Sequence, residues 1–489
     1  MLIFLVKNIN LWYYLLEGRG IMLPSLLEAK KRTNNEVKNY KYYRCNDYNN
    51  VGLNKKYYIK TYGCQMNVHD SENIKALLEE MSFSETDSME DADLIILNTC
   101  AIRENAHNKV FGFLGRVKHL KETKPDIITG ICGCMAQEEN VVSEIKNKYK
   151  WVDIVFGTHN LSELPRILND SIKNNKQEIE VLSIEGDIIE DIPVKRDSKY
   201  KAWVNIMYGC DKFCTYCIVP YTRGKQRSRN PKDIIREVEK LVQDGYKEIT
   251  LLGQNVNAHG KDLDLNYYMG DLLKDVAETG IARVRFVTSH PWDFTDEMID
   301  IIKEYDNVMP YIHLPLQSGS NRILKLMGRR YTKESYLELF NKLKTIPDVS
   351  ITTDIIVGFP GETEEDFEET LDVVNKCKYD SAFTFIFSPR EGTPAAKMKD
   401  DVTLTTKNER LQRLNELVNK YANLNNQKYL NKVVDVLIEG ISNKDGYLMG
   451  YTDTMKLVNV KCDDSYLGKI VKVKITDIKT WSLDGKLAE

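Results

Sequence analysis

The sequence contains no apolar run long enough to cross a membrane. Its most apolar stretch, residues 1–16, is interrupted by Lys7, Asn8 and Asn10 and falls short of the roughly 20 residues that a spanning helix requires. No small-residue cleavage site follows it, as a secretory signal would need. We therefore expect a cytoplasmic protein without a membrane role. Met22 is an alternative start, in which case residues 1–21 would be a translation artefact.

A strong charge of either sign is also missing. The 68 Lys and Arg residues nearly balance the 72 Asp and Glu residues, which leaves a formal net charge of -4. Bulk electrostatics therefore does not indicate a nucleic-acid binder, and any RNA contact has to come from a local patch. The hydrophobic content of 42% over 489 residues is enough for several buried cores, so we expect more than one domain.

The hydrophobic pattern predicts an α/β protein with three domains. Apolar runs at residues 57–61, 93–97 and 126–130 alternate with helical patterns, which is typical of a parallel sheet. From Ala202 onward, six strand-then-helix units predict an incomplete parallel (βα)6 barrel, whose site should lie at the carboxyl ends of its strands. Alternation after Val433 predicts a small antiparallel β-barrel. The predicted boundaries are 1–56 for a mobile or spurious extension and 57–175, 196–430 and 431–489 for the domains.

Cysteines supply the strongest chemical signal. Ten cysteines in a chain without a convincing secretory signal indicate reduced thiols that serve as ligands. Cys210, Cys214 and Cys217 follow the first predicted barrel strand with the spacing C-x3-C-x2-C. A cubane iron–sulfur cluster normally takes four thiolates, so three of them leave one iron open to a small molecule.

A zinc site is the alternative interpretation of these three cysteines. Zinc would need a fourth ligand, which His259, His290 or His313 could supply near later strand ends. Zinc ribbons usually pair two C-x2-C knuckles, however, and the sequence has no second one. A non-enzymatic, metal-stabilised RNA-binding protein is the function that this alternative would favour, and zinc without sulfide would reveal it.

A second group of cysteines is dispersed along the first predicted domain. Cys64, Cys100 and Cys134 each lie just beyond a predicted strand, so the carboxyl ends of parallel strands should bring them together. Cys132, two residues before Cys134, is an alternative third member on the pattern alone. The remaining cysteines have no partner in the pattern and are interpreted as ordinary small apolar residues: Cys45, Cys377 and Cys462.

Nine motifs extend over most of the chain: residues 61–67, 98–103, 133–137, 209–224, 251–258, 288–291, 313–320, 357–363 and 392–395. With them the chain from Tyr57 to Leu487 resembles the methylthiotransferase family of radical S-adenosylmethionine enzymes. The resemblance implies a [4Fe-4S] cluster on the barrel cysteines that cleaves S-adenosylmethionine. It also implies an auxiliary [4Fe-4S] cluster on Cys64, Cys100 and Cys134, in preference to Cys132, and a C-terminal RNA-binding barrel of the TRAM type.

The resemblance further implies the reaction. Family members transfer a methylthio group to C2 of a modified adenosine, at position 37 next to the anticodon in tRNA, with two S-adenosylmethionine molecules per turnover and sulfur delivered through the auxiliary cluster. The hydrogen on that carbon is not acidic, and the carbon carries no good leaving group. A cofactor must therefore supply radical chemistry. Implied partners are the tRNA anticodon stem-loop, an electron donor such as flavodoxin or ferredoxin, and a sulfur source, for a chain acting as a monomer.

Two motifs bear on the substrate within this family. Residues 253–258 and 288–291 look more like the members that act on N6-dimethylallyladenosine. The rival substrates are threonylcarbamoyl-adenosine in tRNA and an aspartate of a ribosomal protein. Polar and glycine residues at later strand ends are the predicted contacts of S-adenosylmethionine: Gly253, Gln254, Asn255, Gln317, Ser318, Ser320, Gly358 and Glu362.

The predicted RNA contacts are local. A basic run follows the barrel cysteines, with Tyr221 beside it, and fits a phosphate-contacting rim, although a solvated loop is the alternative. The final domain, residues 433–489, has eight lysines, no arginine and nine acidic residues, so its RNA binding rests on resemblance at residues 450–454, with Lys456 and Lys461 as phosphate partners. The basic run consists of Arg223, Lys225, Arg227 and Arg229.

Overall fold

A computed structural model describes residues 39–101, 104–182 and 188–488, apart from the side chains of residues 104–108. The chain forms two compact units. Unit 1 comprises Met1–Lys195 with Ile218–Lys225, and unit 2 comprises Arg196–Cys217 with Gln226–Glu489. No helix in these parts of the chain is both long and apolar enough to cross a lipid bilayer.

A six-stranded parallel sheet forms the centre of unit 1. Its strands lie in the order β3-β2-β4-β5-β6-β7, and β1 pairs separately with β8. The strands are β1 (Asn39–Lys41), β2 (Lys56–Thr61), β3 (Ser84–Glu85), β4 (Leu94–Thr99), β5 (Ile128–Gly133), β6 (Ile154–Phe156), β7 (Glu178–Glu180) and β8 (Ile188–Glu190). The helices are α1 (Gln65–Glu80), α2 (Glu104–Thr123), α3 (Glu139–Lys148), α4 (Leu164–Asn174) and the single turn α5 (Val219–Thr222).

Helices cover both faces of this sheet, and strand β4 shows why. All six of its residues are buried. Ile95 and Leu97 join the core on one face, whereas Leu94 and Ile96 join the core on the other. Successive side chains of a strand point to opposite faces, so a strand buried on both faces reads as a continuous apolar run.

The structure corrects the prediction of a mobile extension for residues 39–56. Strand β1 pairs in parallel with β8, and Tyr42, Tyr48 and Val51 pack against a core of unit 1. The polar residues between them concealed these buried side chains in the sequence pattern. The parallel sheet also continues through β7, past the predicted boundary at residue 175. Residues 1–38, with the predicted spurious start, lie outside the described residues.

Six parallel strands of unit 2 confirm the predicted incomplete (βα)6 barrel. They form the two sheets β13-β12-β9 and β14-β15-β16, and a parallel bridge from Val284 to Val308 links β13 to the segment before β14. The six strands are β9 (Lys201–Asn205), β12 (Glu248–Leu252), β13 (Arg283–Phe286), β14 (Tyr311–His313), β15 (Ser350–Val357) and β16 (Ser381–Ile386). Two further short strands, β10 (Met207–Tyr208) and β11 (Arg227–Ser228), pair with each other.

Polar caps determine where several barrel helices begin. The side chains of Asn230, Thr332 and Thr363 each accept a hydrogen bond from the backbone of the following first turn. Such caps satisfy amide groups that have no partner within the helix. The helices of unit 2 are α6 (Pro231–Gln243), α7 (Met269–Glu278), α8 (Asp296–Glu304), α9 (Asn321–Leu326), α10 (Lys333–Leu343), α11 (Glu364–Cys377) and α12 (Leu404–Asn426).

The C-terminal strands close a five-stranded barrel in the order β17-β18-β19-β21-β20. The predicted small antiparallel barrel is confirmed, with one parallel pair formed by β19 and β21. A closed ring with an odd number of strands cannot alternate direction throughout, so one parallel pair is required. The strands are β17 (Val433–Ile441), β18 (Leu448–Thr452), β19 (Leu457–Lys461), β20 (Ile470–Ile478) and β21 (Leu483–Leu487).

Two buried arginines of β13 attach this small barrel to the larger one within unit 2. Arg283 donates to the carbonyl oxygen of Tyr451 at 2.9 Å, and Arg285 donates to that of Thr452 at 2.8 Å. Each arginine side chain is 2% exposed, and Arg285 forms an ion pair of 3.0 Å with Glu248, which is buried to the same extent. These contacts fix the end of β18 against the larger barrel.

Candidate iron–sulfur centres

Three thiols converge at one edge of the sheet in unit 1. Cys64 follows β2, Cys100 follows β4 and Cys134 follows β5, and these strands are neighbours in the sheet. The pKa of the Cys134 thiol is raised to about 12, chiefly by burial, and Cys100 and Cys64 also raise it while Arg223 opposes them. We call Cys64, Cys100 and Cys134 the unit 1 trio.

The structure separates Cys134 from the alternative, Cys132. Cys132 packs in the core beside Ile96 and Ile154. Gly133 lies between them with a φ of 92°, a backbone conformation that turns the chain at the end of β5. Residues two apart on a regular strand share a face, but this turn carries Cys134 away from the face of Cys132 and toward the other two thiols.

Hydrogen bonds between the strand ends hold the loops of the unit 1 trio together. The Asn67 amide donates to Asn98 Oδ1 at 3.1 Å and to the Thr99 carbonyl oxygen at 3.2 Å. Asn98 donates back to the Asn67 carbonyl oxygen at 2.8 Å. The Cys64 thiol donates to Asn67 Oδ1 at 3.5 Å. The small and polar neighbours of these cysteines therefore build the scaffold that positions them.

Gly133 gives this scaffold a testable requirement. A Cβ atom at this position would lie less than 3.0 Å from the Thr99 carbonyl oxygen, and the φ of 92° is itself unfavourable for alanine. We expect Gly133→Ala to lower the free energy of unfolding of unit 1 by about 1–3 kcal/mol and to weaken iron binding. Gly112→Ala is the control, because its Cβ would meet nothing within 4 Å in helix α2, where alanine is preferred.

Denaturant unfolding of the two apo variants, followed by iron analysis after reconstitution, checks this prediction. The expected order of stability is Gly112→Ala, wild type, then Gly133→Ala. An unchanged Gly133→Ala protein would mean that the turn before Cys134 tolerates a side chain and does not constrain the trio.

A buried arginine also contacts the unit 1 trio. Arg223 Nε donates to the sulfur of Cys134 at 3.2 Å, and its Nη2 pairs with Asp70 at 2.5 Å. Burial alone would lower the pKa of Arg223, but Asp70 and Cys134 outweigh it and hold that pKa well above its usual value. The prediction that Arg223 contacts RNA phosphates stays a prediction, and in this structure its guanidinium is buried and bonded to Asp70 and Cys134.

The second set of thiols lies after the first strands of the barrel in unit 2. Cys210, Cys214 and Cys217 occupy the loop that follows β10, and the Cys217 amide donates to the Cys214 carbonyl oxygen at 3.0 Å. Burial raises the pKa of the Cys210 thiol, and the nearby Cys217 and Cys214 raise it further. The three thiols therefore converge as the C-x3-C-x2-C spacing predicts. We call them the unit 2 trio.

Contacts from α9 and the loop after it position the unit 2 trio. The Thr215 amide donates to the Met327 carbonyl oxygen at 2.9 Å, and the Thr215 hydroxyl donates to that of Leu326 at 2.8 Å. Arg329, which lies two residues beyond Met327, donates from Nη1 to the sulfur of Cys214 at 3.4 Å. Sequence reasoning missed this arginine, since it lies outside the nine motifs.

Each trio offers thiols only, which is a donor set that an iron–sulfur cluster takes. Among the residues that the structure describes, no group of three or more His, Cys, Asp or Glu side chains could hold a single metal ion. Each iron of a cubane takes its own ligand, so the thiolates spread around a larger group than one ion. The three histidines of the zinc alternative have partners elsewhere: His259 contacts the Arg229 carbonyl oxygen, His290 accepts from Trp292, and His313 bonds to Thr352.

Three known families match successive parts of the chain. Residues 56–157 match the Uncharacterized protein family UPF0004, residues 204–374 match the Radical SAM superfamily and residues 427–488 match the TRAM domain. A radical S-adenosylmethionine methyltransferase of Kitasatospora setae shares 12% sequence identity, with a TM-score of 0.49 over 70% of this chain and 75% of the other.

Curated relatives match almost the whole chain. A tRNA-2-methylthio-N(6)-dimethylallyladenosine synthase of Bacillus cytotoxicus is 57% identical over 470 residues, which cover 95% of this chain and 92% of the relative. The synthase of the same name from Staphylococcus aureus is 54% identical, with 95% and 91% covered. The chain belongs to the tRNA-2-methylthio-N(6)-dimethylallyladenosine synthase family. It is a radical S-adenosylmethionine enzyme, and that superfamily uses a [4Fe-4S] cluster with S-adenosylmethionine.

The first group of predicted cofactor contacts lies after β12, at the carboxyl end of the barrel. Gln254 Oε1 accepts a hydrogen bond of 2.5 Å from the amide of Gly209, just before Cys210. Asn255 is buried and donates to Asp293 at 2.7 Å. A Cβ at Gly253 would lie 2.5 Å from Met207. These residues therefore lie next to the unit 2 trio.

The other predicted cofactor contacts are mostly engaged within the fold. Ser320 donates to Asp366 at 2.6 Å, and Ser318 lies 3.4 Å from the Thr370 hydroxyl, so these hydroxyls link the strand end to α11. Glu362 accepts from the Gly358 amide at 3.0 Å and from Arg410 at 2.8 Å. The hydroxyls of Ser318 and Ser320 are thus engaged within the fold, and their contact with S-adenosylmethionine stays a prediction. Gln317 has a positive φ of 68° at the same strand end.

The remaining predicted RNA contacts also lie within the fold. Lys225 is buried, Arg227 stacks over the ring of Tyr208, and Arg229 donates to Glu237 at 2.9 Å. A run of alternating basic residues resembles a surface loop, but here all four side chains are buried, and their contact with RNA stays a prediction.

In the C-terminal barrel, backbone carbonyl groups of residues 450–454 accept hydrogen bonds from the two arginines of β13. The prediction that Lys456 contacts a phosphate is wrong, because its side chain is only 13% exposed and its ammonium group donates to the Asp380 carbonyl oxygen. Lys461 is exposed, as a phosphate partner would require.

Sequence reasoning also missed an exposed aromatic face inside the larger barrel. Ala382 and Ile386 of β16 pack toward the core, and Thr384 bonds to Asn415 of α12. The alternate residues Phe383 and Phe385 lie on the opposite face and are 53% and 40% exposed. Helices surround such a barrel, so the face opposite α12 is its interior. The alternation of phenylalanines at residues 383–387 was the signal that would have found it.

Proposed function

We propose that this chain places a methylthio group on C2 of N6-dimethylallyladenosine at position 37 of tRNA, next to the anticodon. The observation that carries the proposal is the presence of two separate thiol trios, one at the carboxyl ends of three parallel strands of unit 1 and one in the loop that follows β10 of unit 2. One trio with an open iron suffices to cleave S-adenosylmethionine, whereas a second one is needed only if sulfur is also to be delivered. The high identity to synthases named for this product supports the substrate.

Each trio has its own role in this proposal. Cys210, Cys214 and Cys217 hold the [4Fe-4S] cluster whose open iron binds S-adenosylmethionine. Cys64, Cys100 and Cys134 hold the auxiliary [4Fe-4S] cluster, and two S-adenosylmethionine molecules are used in each turnover. When bound, these groups supply the radical, the sulfur and the methyl group. The protein holds the thiolates close together, buries Cys100, Cys134 and Cys214, and positions the loops around both trios through the contacts described above.

The exposed aromatic face of β16 receives the substrate base. Phe383 lies 6.0 Å from the ring of His313, which bonds to Thr352 of β15 at 3.0 Å. A flat adenine with an apolar dimethylallyl group complements this surface, because a base stacks on an aromatic ring and the alkyl group leaves water. The threonylcarbamoyl group of the rival substrate is polar and charged and fits such a surface less well.

Phe383→Ala tests this assignment. Loss of one base-stacking partner is worth about 1–3 kcal/mol, so we expect kcat/KM for tRNA carrying dimethylallyladenosine to fall by about 5-fold to 150-fold. Phe383→Tyr keeps the ring and should stay within about threefold of the wild type. A Phe383→Ala enzyme with an unchanged kcat/KM would place the base elsewhere.

The partners follow from this reaction. The protein acts as a monomer in the cytoplasm on the anticodon stem-loop of tRNA. It receives electrons from a donor such as flavodoxin or ferredoxin and sulfur from a separate source. All ten cysteines are free thiols, which agrees with a reducing compartment.

The test is anaerobic reconstitution with iron and sulfide, followed by turnover with a reductant and S-adenosylmethionine. Three substrates are compared: tRNA with N6-dimethylallyladenosine, tRNA with threonylcarbamoyl-adenosine, and the ribosomal protein with its aspartate. We expect the methylthio product on the first substrate only. Product on either of the others, with none on the first, would keep the radical chemistry and reject the proposed substrate.

A further inference from the structure

Each cysteine trio has one buried arginine that donates a hydrogen bond to one of its sulfurs. In unit 1, Arg223 Nε lies 3.2 Å from the sulfur of Cys134. In unit 2, Arg329 Nη1 lies 3.4 Å from the sulfur of Cys214. Arg223 is 4% exposed and Arg329 is 8% exposed, so neither guanidinium is a mobile surface charge. The same arrangement thus occurs independently in two different folds.

Arg223 is held in place from its other side. Its Nη2 pairs with Asp70 of helix α1 at 2.5 Å, so one plane of the guanidinium joins a carboxylate to a thiol. Helix α1 begins directly after Cys64 and also carries Asn67 of the trio scaffold. A rigid planar donor of this kind has a fixed direction that a lysine ammonium group does not reproduce.

Arg329 is held by neutral groups. Its Nη2 donates to the Pro315 carbonyl oxygen at 3.3 Å, its Nε donates to the Tyr331 hydroxyl at 3.0 Å, and its guanidinium lies 5.1 Å from the centre of that ring. Within the described residues, no carboxylate pairs with Arg329. A buried cation is costly unless an anion compensates it, and the thiolates of Cys214 and its neighbours are the anions at hand.

We propose that Arg223 and Arg329 are positioning residues that each stabilise one iron–sulfur cluster through a charged N–H···S bond to one thiolate ligand. This inference rests on the proposed function, which gives each trio a cluster. A cubane held by three thiolates in a buried site is net negative, and hydrogen bonds and nearby positive charge stabilise its reduced form. Each arginine therefore raises the reduction potential of its own cluster and helps to retain its iron.

The test isolates one cluster at a time in the full-length protein. Replacing Cys210, Cys214 and Cys217 with alanine leaves only the unit 1 trio, and replacing Cys64, Cys100 and Cys134 leaves only the unit 2 trio. Arg223→Met and Arg329→Met are then introduced into both backgrounds. Iron and sulfide per chain and the midpoint potential, followed by electron paramagnetic resonance during a redox titration, are measured after anaerobic reconstitution.

We expect each variant to affect only the cluster that its arginine contacts. Arg223→Met lowers the midpoint potential and the iron content of the unit 1 cluster and leaves the unit 2 cluster unchanged, whereas Arg329→Met does the reverse. Arg→Lys variants keep the charge without the planar donor and should give intermediate potentials. Arg166→Met is the matched control in unit 1, because it removes an arginine that pairs with Glu180 at 2.5 Å outside the trio.

Each outcome decides the question. Potentials unchanged in fully loaded Met variants would overturn the inference, and so would an equal shift in the Arg166→Met control. Where a Met variant does not fold, a Lys variant with the wild-type potential overturns it and one with a lowered potential supports it. Parent backgrounds that bind no iron and sulfide would instead reject the two-cluster proposal itself, so the two failures are distinct.

Discussion

Cys134→Ala is expected to abolish the methylthio product on tRNA while reductive cleavage of S-adenosylmethionine continues. The thiol of Cys134 lies with Cys64 and Cys100 in unit 1, whereas Cys210, Cys214 and Cys217 belong to unit 2. Its loss should therefore remove the auxiliary cluster and leave the unit 2 trio loaded. Product by mass spectrometry of digested tRNA and cleavage by release of 5′-deoxyadenosine are measured on the same samples.

Cys132→Ala is the matched control for that experiment. Cys132 packs beside Ile96 and Ile154, so its replacement removes a small apolar side chain and no ligand. We expect a modest loss of stability and retention of both activities. Loss of the product in Cys132→Ala with retention in Cys134→Ala would reverse the ligand assignment.

Arg285→Ala should produce the largest loss of stability. The replacement leaves Glu248 buried without its 3.0 Å ion-pair partner and removes the donors to the carbonyl groups of Thr452 and Asp453. Breaking a buried pair in this way costs about 3–5 kcal/mol. Hydrogen exchange of the β18 amides should accelerate accordingly, since β18 ends at the contact between the C-terminal barrel and β13.

The double variant Arg285→Met with Glu248→Gln separates the ion pair from the packing. Removing both charges avoids a buried carboxylate whose remaining partner is Arg283 at 3.9 Å, so the double variant should be more stable than Arg285→Ala. Equal exchange rates in Arg285→Ala and the wild type would show that the C-terminal barrel stays attached without these hydrogen bonds.

The sequence predicted the chemistry of the site better than its surroundings. Parallel strands were visible as apolar runs, and placing a cysteine after each run led directly to the unit 1 trio. The choice between Cys132 and Cys134 depends on the φ of Gly133, which no spacing pattern reveals, so at that point only the resemblance favoured Cys134.

Charge in a sequence does not report burial. Arg223, Arg229 and Lys456 are predicted phosphate partners because they are basic, but in this structure acceptors of the fold engage all three. Conversely, apolar character does not report a core position, because more than half of the surface of Phe383 is exposed at 53%. Tertiary contacts decide both cases.

The most direct measurement is the nucleoside composition of tRNA from a strain that lacks this gene, compared with the same strain carrying the gene in trans. We expect N6-dimethylallyladenosine to accumulate without its 2-methylthio derivative in the deletion strain, and the derivative to return with the wild-type gene but not with Cys134→Ala. An unchanged level of 2-methylthio-N6-dimethylallyladenosine in the deletion strain would contradict the proposed function.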